Sequence, residues 1–422
     1  MALLLWAALT GAFAAGAGEN AVSVEVFAGE KGAAVSPYLV NGFNYNHSMQ
    51  VYTIRDLIEK LNIATITYPG GNIGDEQDIP EYDLSFFRTQ QQYLGMPFTF
   101  YQVRLFGGTP EKAAETVRLV KRLGIRVDVW TIGNEPDLYA SKRSDPSWTP
   151  QKYNRLFREY AAALKAVDPD IRLSGPGVSQ PKDRWVRSFI QECGDLVDVL
   201  TWHFYPADES APVQKALETA AEARRFMRLY TEWLKDPLVN VKGHDRKIMT
   251  GVTEWAIHPE TGRTRLIAEL PGALWAAEVM GIYAEEGLDF SHYFCLNQWG
   301  GHAIFNKRNK PRPLYYLFAM YAQHFGTTTV ASRSGDGAIG VNASMKGDSD
   351  ITLFLVNRDP EKARPVNVAV SGFPRIRFAE GWVLTEEKEN VQIPHLRIIK
   401  LRDRVLLELE PFSVTVLRIY GE

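Results

Sequence analysis

Eight short apolar runs, most of them separated by amphipathic helical stretches, fill residues 38–325 and constrain the fold more than any other feature. They are LVNGFNYN (39–46), IATITYP (63–69), FTFYQVRLF (98–106), VDVWTIGN (127–134), IRLSGPG (171–177), VDVLTWHFYP (197–206), KIMTGVTEWA (247–256) and SHYFCLNQW (291–299). Each reads as a strand. The segments between them carry helix signals. In GGTPEKAAETVRLVKRLG, Thr109 stands at the N-cap, Pro110 at the first helical position and Gly124 just past the last turn. Ala113, Val117, Val120 and Leu123 recur there at helical spacing. A second unit opens the same way at Thr149-Pro150, with Tyr153, Leu156, Phe157, Tyr160, Leu164 and Val167 along one face. Strand–helix alternation repeated eight times predicts a parallel sheet, and eight units close most economically as a (β/α)8 barrel. An open doubly wound sheet is the alternative, but no Gly-rich phosphate fingerprint follows the first strand.

After residue 326 the texture changes to short alternating runs, AIGVNASM, ITLFLVN, PVNVAV, VLLELE and FSVTVLRI, parted by Gly, Asp, Asn and Pro turns. The expected fold class is therefore α/β, a TIM barrel over 38–325 with a C-terminal antiparallel β-sandwich over 326–422. The run VSVEVF (22–27) also alternates, so residues 18–37 are expected to add a strand to that sandwich. A net charge of −3 calls for no nucleic-acid partner. The chain begins MALLLWAALTGAFAAGAGEN, whose apolar run is too short to span a bilayer, which takes about 20 residues. Because it ends in an A-x-A-like site, residues 1–17 are expected to be a secretory signal peptide, placing the protein outside the cytoplasm, secreted or periplasmic. Against this, its first residues carry no Lys or Arg, and an apolar anchor or a mis-assigned start is the alternative. No other stretch is apolar enough for stable membrane insertion. Cys193 and Cys295 read as buried thiols, too sparse for a disulfide framework or a metal site. Asn46-His47-Ser48 and Asn342-Ala343-Ser344 are sequons that matter only in a glycosylating host.

In such a barrel the active site lies at the C-terminal ends of the strands. Asn134 and Glu135 close the fourth strand and Glu254 closes the seventh, each after a strongly apolar run where a carboxyl is costly to desolvate. One such Glu is readily a strand-end carboxylate paired with a neighbour. Two of them, three strands apart on one rim, point into a common cavity. Glycoside hydrolysis uses this pair: a retaining enzyme keeps one carboxyl protonated as acid and the other ionised as nucleophile, about 5–5.5 Å apart. The charge of one then raises the pKa of the other.

GNEP at the fourth strand end, with a Glu closing the seventh, resembles the clan A retaining glycosidases. TYPGGN after the second strand, IGNEPD, and the C-terminal LVNRD and PFSVTVLRI are similar to the branch of α-L-arabinofuranosidases, β-xylosidases and heparanase-like β-glucuronidases, and the resemblance covers nearly the whole chain after residue 17. It implies that Glu135 is the acid/base, that Glu254 is the nucleophile, and that Asn134 hydrogen-bonds the sugar 2-hydroxyl. Tyr205 matches a sixth-strand Tyr that bonds the nucleophile. Trp299 matches the platform tryptophan beneath the sugar, a core Trp being the alternative. His203 shares a strand face with Tyr205; it either tunes Glu135 or is a core histidine satisfied by backbone. Asn44, Asn72, Trp130 and Gln298 are further cleft candidates. Relatives usually carry an Arg directly before the aromatic-Pro-Gly-Gly motif, where Thr67 stands here, and Arg104 at the third strand end is a candidate to replace its charge. The acidic stretch GDEQDIPEYD (74–83) lacks calcium-loop periodicity and reads as a solvated loop near the rim. The histidines show no zinc-ligand spacing. Catalysis is thus expected to need neither metal nor cofactor. The expected function is retaining hydrolysis of O-glycosidic bonds in a polysaccharide or oligosaccharide such as xylan, arabinoxylan or β-glucan. The alternatives are β-glucuronidase specificity and a non-catalytic carbohydrate-binding barrel.

Overall fold

The structure, a computed structural model, describes residues 21–45, 50–260, 262, 264–296, 300–389, 391–392 and 403–422. Eight parallel strands close into a barrel in chain order: β2 (Gly42–Asn44), β3 (Thr65–Tyr68), β4 (Phe98–Val103), β5 (Val129–Ile132), β6 (Leu173–Val178), β7 (Val199–Phe204), β8 (Met249–Trp255) and β9 (Phe290–Tyr293). Each of the eight apolar runs supplies one strand. The helices between them start and stop as their end residues dictate. Thr109 accepts from the Lys112 N–H ahead of Pro110–Leu123, and Gly124 ends that helix at φ +66°. Thr149 does the same for Pro150–Val167 through the Lys152 N–H.

Side chains alternate along each strand between the helices and the barrel axis. At the strand starts Phe98, Phe100, Val129, Val199 and Phe290 meet on the axis as an apolar floor. Phe100 and Phe290 pack edge to face with centroids 4.9 Å apart, and Tyr38 lies 4.5 Å from Phe98 beneath them. One layer higher the fill is polar: Thr131 and Ser174 hydroxyls bond at 2.7 Å, and the His292 ring joins Thr65 (3.0 Å) to Thr67 (2.8 Å). Burial holds that imidazole neutral, pushing its pKa down to about 3. Higher still lie the strand ends that carry the site.

The remaining strands form one continuous nine-stranded sheet, ordered β15-β14-β17-β12-β11-β10-β1-β13-β16. They are β1 (Val22–Ala34), β10 (Thr328–Ser334), β11 (Ile339–Met345), β12 (Asp350–Asn357), β13 (Arg364–Ser371), β14 (Ile376–Leu384), β15 (Val391–Gln392), β16 (Arg404–Leu409) and β17 (Ser413–Gly421). Its pairings are antiparallel except that of β1 with β13, which is parallel. One face encloses an apolar core that runs from Val24 and Val368 to Leu355 and Ile419. The other packs on the barrel helices: Tyr321 stacks on Phe354 at 3.9 Å, and Arg358 pairs with the buried Glu278 at 2.9 Å. Asn342 fits against Gly281, where any Cβ would collide with its amide at about 2 Å, and it donates to the Ala277 carbonyl. The second sequon is thus sealed in this joint, and Asn46 of the first lies outside the described residues. Cys193 and Cys295 are both buried free thiols. No helix among the described residues is long and apolar enough to cross a membrane.

Candidate active site

Glu135 does not continue β5. After Ile132 the chain turns through Gly133 (φ +76°), Asn134 and Glu135, which is itself left-handed at φ +48°. Gly133 is required here, because a Cβ would meet Leu105 Cδ2 at 2.7 Å. A left-handed glutamate costs about 1–3 kcal/mol and persists only where its surroundings hold it. The Glu135 N–H donates to the Gly177 carbonyl at 3.0 Å, and the Asn134 N–H donates to Asp75 Oδ2 at 2.9 Å. Thus braced, the Glu135 side chain enters the barrel mouth with the residue only 8% exposed.

Glu254 arrives there by a different device. Trp202 pairs with Val252 but His203 pairs with Glu254, so one extra residue, Thr253, bulges from β8. A bulge re-aims the side chain that follows it. Here it sets Glu254 level with His203 and leaves the Thr253 carbonyl to accept from Asn44 Nδ2 at 2.8 Å.

His203 and Tyr205 point inward, while Trp202 and Phe204 pack outward on Tyr230 and Trp275. His203 Nδ1 lies 3.2 Å from Glu135 Oε1 and 3.5 Å from Glu254 Oε2, and the Tyr205 hydroxyl donates to Glu254 Oε2 at 2.9 Å. Lys142 Nζ approaches Glu135 Oε2 at 3.4 Å from a more exposed position. A carboxylate oxygen of each Glu and the His203 nitrogen lie within 4.8 Å of one another, the group among the described residues able to share a cation. Burial favours neutral carboxyls, and it pushes Glu254 up to about 7, with the Glu135 charge adding to the effect. For Glu135 burial is outweighed by the His203 hydrogen bond and charge and by Lys142, which hold it below the ordinary carboxylate range. His203 is raised: burial opposes its charge, but the two carboxylates overcome that. Below about pH 7 the pair therefore holds its proton on the Glu254 side.

Around this centre Asn134 Nδ2 reaches Asn72 Oδ1 at 3.3 Å, placing both beside Glu135. Asn44 sits below Glu254, its Oδ1 buried and without a partner among the described residues. Two expectations are revised. Trp130 alternates outward from β5, is 4% exposed and packs 5.0 Å from the Tyr101 ring, so it belongs to the helix-facing core and not to the cleft. Arg104 spends its guanidinium on the Phe106 carbonyl (2.9 Å) and Asp78 (3.7 Å), and its bonds and ion pairs do not include Glu254. The place of the missing arginine is taken by the neutral Thr67–His292 pair. Gln298 and Trp299 lie outside the described residues.

Within the acidic stretch 74–83, Glu76, Asp78 and Glu81 are exposed as expected, and Asp75 is the exception. Asp75 is 1% exposed and accepts from the Leu105 N–H at 2.9 Å, the Asn134 N–H at 2.9 Å and the Tyr139 hydroxyl. Burial raises its pKa against the pull of these donors. Asp75 and Lys142 are the site neighbours that sequence reasoning missed. Their one signal was nearness in the chain to YPGGN and GNEP.

A closed parallel barrel holding two carboxyls and a bridging histidine at its C-terminal mouth is the arrangement of a glycoside hydrolase. The family model for glycosyl hydrolases family 39 matches residues 113–236. An intracellular exo-α-(1→5)-L-arabinofuranosidase of Streptomyces lividans is 23% identical over 86% of this chain and 67% of its own length. A β-xylosidase of Geobacillus stearothermophilus is 30% identical over 24% of this chain and 20% of its own. Among solved structures, a family 51 α-L-arabinofuranosidase from Bifidobacterium longum superposes with a TM-score of 0.76 over 95% of this chain and 100% of that one, at 17% identity. The chain is a glycosidase, and it resembles the clan A branch that holds these enzymes. One expectation falls with these matches. The Streptomyces relative is named as intracellular, which overturns the secreted or periplasmic placement read from residues 1–17, themselves outside the described residues.

Proposed function

We propose that this glycosidase acts with retention of configuration on pentosides, α-L-arabinofuranosyl or β-xylosyl, in oligosaccharides or polysaccharides. The observation that carries the mechanism is the approach of the two carboxylates to within 4.8 Å through His203. That close approach supports a retaining pair, whose carboxyls stand about 5–5.5 Å apart, over an inverting one, at roughly 6.5–9.5 Å. The named activities of the arabinofuranosidase and xylosidase relatives support the sugar class. Glu254 attacks the anomeric carbon, the Tyr205 hydroxyl bonding its oxygen. Glu135 protonates the leaving oxygen and then deprotonates the water that releases the glycosyl-enzyme. Asn134, beside Glu135, holds the sugar.

The resting charges run opposite to the first step, which needs the pair's proton on Glu135. Lys142, with a side chain 57% exposed, is the displaceable one of the two cations on Glu135. A leaving group entering at Oε2 takes its place, which raises Glu135 and draws the proton across. Proton NMR at early times on an arabinofuranoside and a xyloside tests the reading: first release of the retained anomer is expected, and first release of the inverted anomer would falsify double displacement. A chromogenic panel including a glucuronide, with Glu254→Ala as the blank, tests the sugar class.

A further inference from the structure

We propose that Asp75 is the positioning residue for the acid/base, acting through the backbone of Asn134 and the hydroxyl of Tyr139; this rests on the assignment of Glu135 as acid/base. The turn at 133–135 has two backbone residues at positive φ. The Gly133 N–H donates to the Val103 carbonyl at 3.1 Å, the Glu135 N–H donates to the Gly177 carbonyl at 3.0 Å, and the Glu135 carbonyl accepts from the Leu138 N–H at 2.9 Å. Between them, the Asn134 N–H depends on side chains, finding Asp75 Oδ2 at 2.9 Å and the Tyr139 oxygen at 3.3 Å. Tyr139 lies four residues beyond Glu135, packs edge-on to Phe106 and Trp148 at 5.1 and 4.6 Å, and donates its hydroxyl to the same Oδ2. The other oxygen, Oδ1, takes the Leu105 N–H just past β4. A single buried carboxylate therefore ties the end of β4 to both sides of the Glu135 turn, from the loop that follows β3.

The chemistry of those donors explains why the residue is an aspartate. No Lys or Arg is among its partners; every one is a neutral N–H or O–H. A carboxylate offers acceptors on both oxygens. An Asn here must turn its amide NH2 toward the Leu105 N–H or toward the Asn134 N–H and Tyr139 O–H, setting donor against donor. A buried charge held only by neutral donors is expensive, and it is placed where a displacement of about 1 Å at a reacting group costs on the order of 100-fold in rate. Gly74 fits the same purpose. A Cβ there would lie 2.5 Å from Gln102 Nε2, so the glycine lets the Asp75 segment settle down onto β4.

The test compares Asp75→Asn and Tyr139→Phe with Glu135→Ala on two substrates of the same sugar, one with an activated leaving group such as dinitrophenol and one with a poor one such as an alkyl alcohol. Acid catalysis matters for the second and little for the first. Asp75→Asn is expected to lower kcat about 10–100-fold on the alkyl glycoside and no more than about threefold on the dinitrophenyl glycoside, with KM nearly unchanged. Tyr139→Phe, which leaves the Asn134 bond in place, shifts the same way by a few-fold, and it carries the test should Asp75→Asn not fold. In the double variant Asp75→Asn/Glu135→Ala the alkyl glycoside rate should fall no further than in Glu135→Ala, because a residue acting through another is not additive with it. Equal losses on both substrates, or full additivity, would overturn the positioning role. If Glu135→Ala itself shows no dependence on the leaving group, it is the acid/base assignment that fails and not the inference from Asp75.

Discussion

The floor and the mouth of the barrel are built by the same eight strands, a few residues apart, on opposite principles. At the floor Phe98, Phe100, Val129, Val199 and Phe290 interlock with no polar atom to satisfy. At the mouth the strands end in a left-handed glutamate, a bulge, a histidine between two carboxylates and an asparagine whose oxygen has no partner among the described residues. Dispersion and apolar burial make the floor stable. Every feature of the mouth costs stability and is held there by the packing below it. Function and stability are thus separated along the barrel axis, and substitutions at the two ends should separate them in measurement.

Glu254→Ala should give the largest effect: turnover falls on the order of 10⁴-fold or more, as when a nucleophile is removed. The melting temperature stays level or rises, since a buried carboxyl has been removed; steady-state rates and a thermal scan on one preparation show both. Phe290→Ala should do the reverse. A buried Phe replaced by Ala costs about 3–5 kcal/mol of folding free energy, read by urea denaturation, while the protein that remains folded keeps kcat within about twofold. Tyr205→Phe comes third. Removing its hydrogen bond to Glu254, the proposed nucleophile, should cost about tenfold in kcat/KM. In the proposed mechanism the pair works with one proton, so kcat/KM is expected to fall as pH rises through about 7, the value to which burial raises Glu254. The tyrosine bond lowers that pKa, so without it the alkaline limb moves to higher pH. Smallest is Arg104→Ala: its partly exposed pairing with Asp78 suggests less than a threefold change in rate. A hundredfold loss would return it to the catalytic centre.

The same division explains what could be read from the sequence. The floor and the eight strands follow from apolar runs and helix caps, which are local signals. Glu135 and Glu254 were visible because each ends such a run, and a carboxyl there stands out against its neighbours. Thr253 was not visible as a bulge, because VTEW reads as unbroken strand and only pairing with β7 reveals the extra residue. Trp130 was misplaced because β5 was read as a run and not by parity. Val129 and Thr131 face the axis, which turns Trp130 outward. Asp75 looked like one of several solvated acids because its donors come from residues 105, 134 and 139, a long-range coincidence that no local pattern encodes.

The position of β1 has a consequence for how this molecule comes into being. It lies between β10 and β13, so a strand made before the barrel takes its place only after partners roughly 300 residues further on have been made. At about 5–20 residues per second, that is a wait of roughly 15–60 s with both edges of a β strand open. The barrel is synthesised entirely within that interval. A nascent chain can therefore bring Glu135 and Glu254 together at the barrel mouth before β1 has been fastened down, and it is the strands made after the barrel that hold β1 in place.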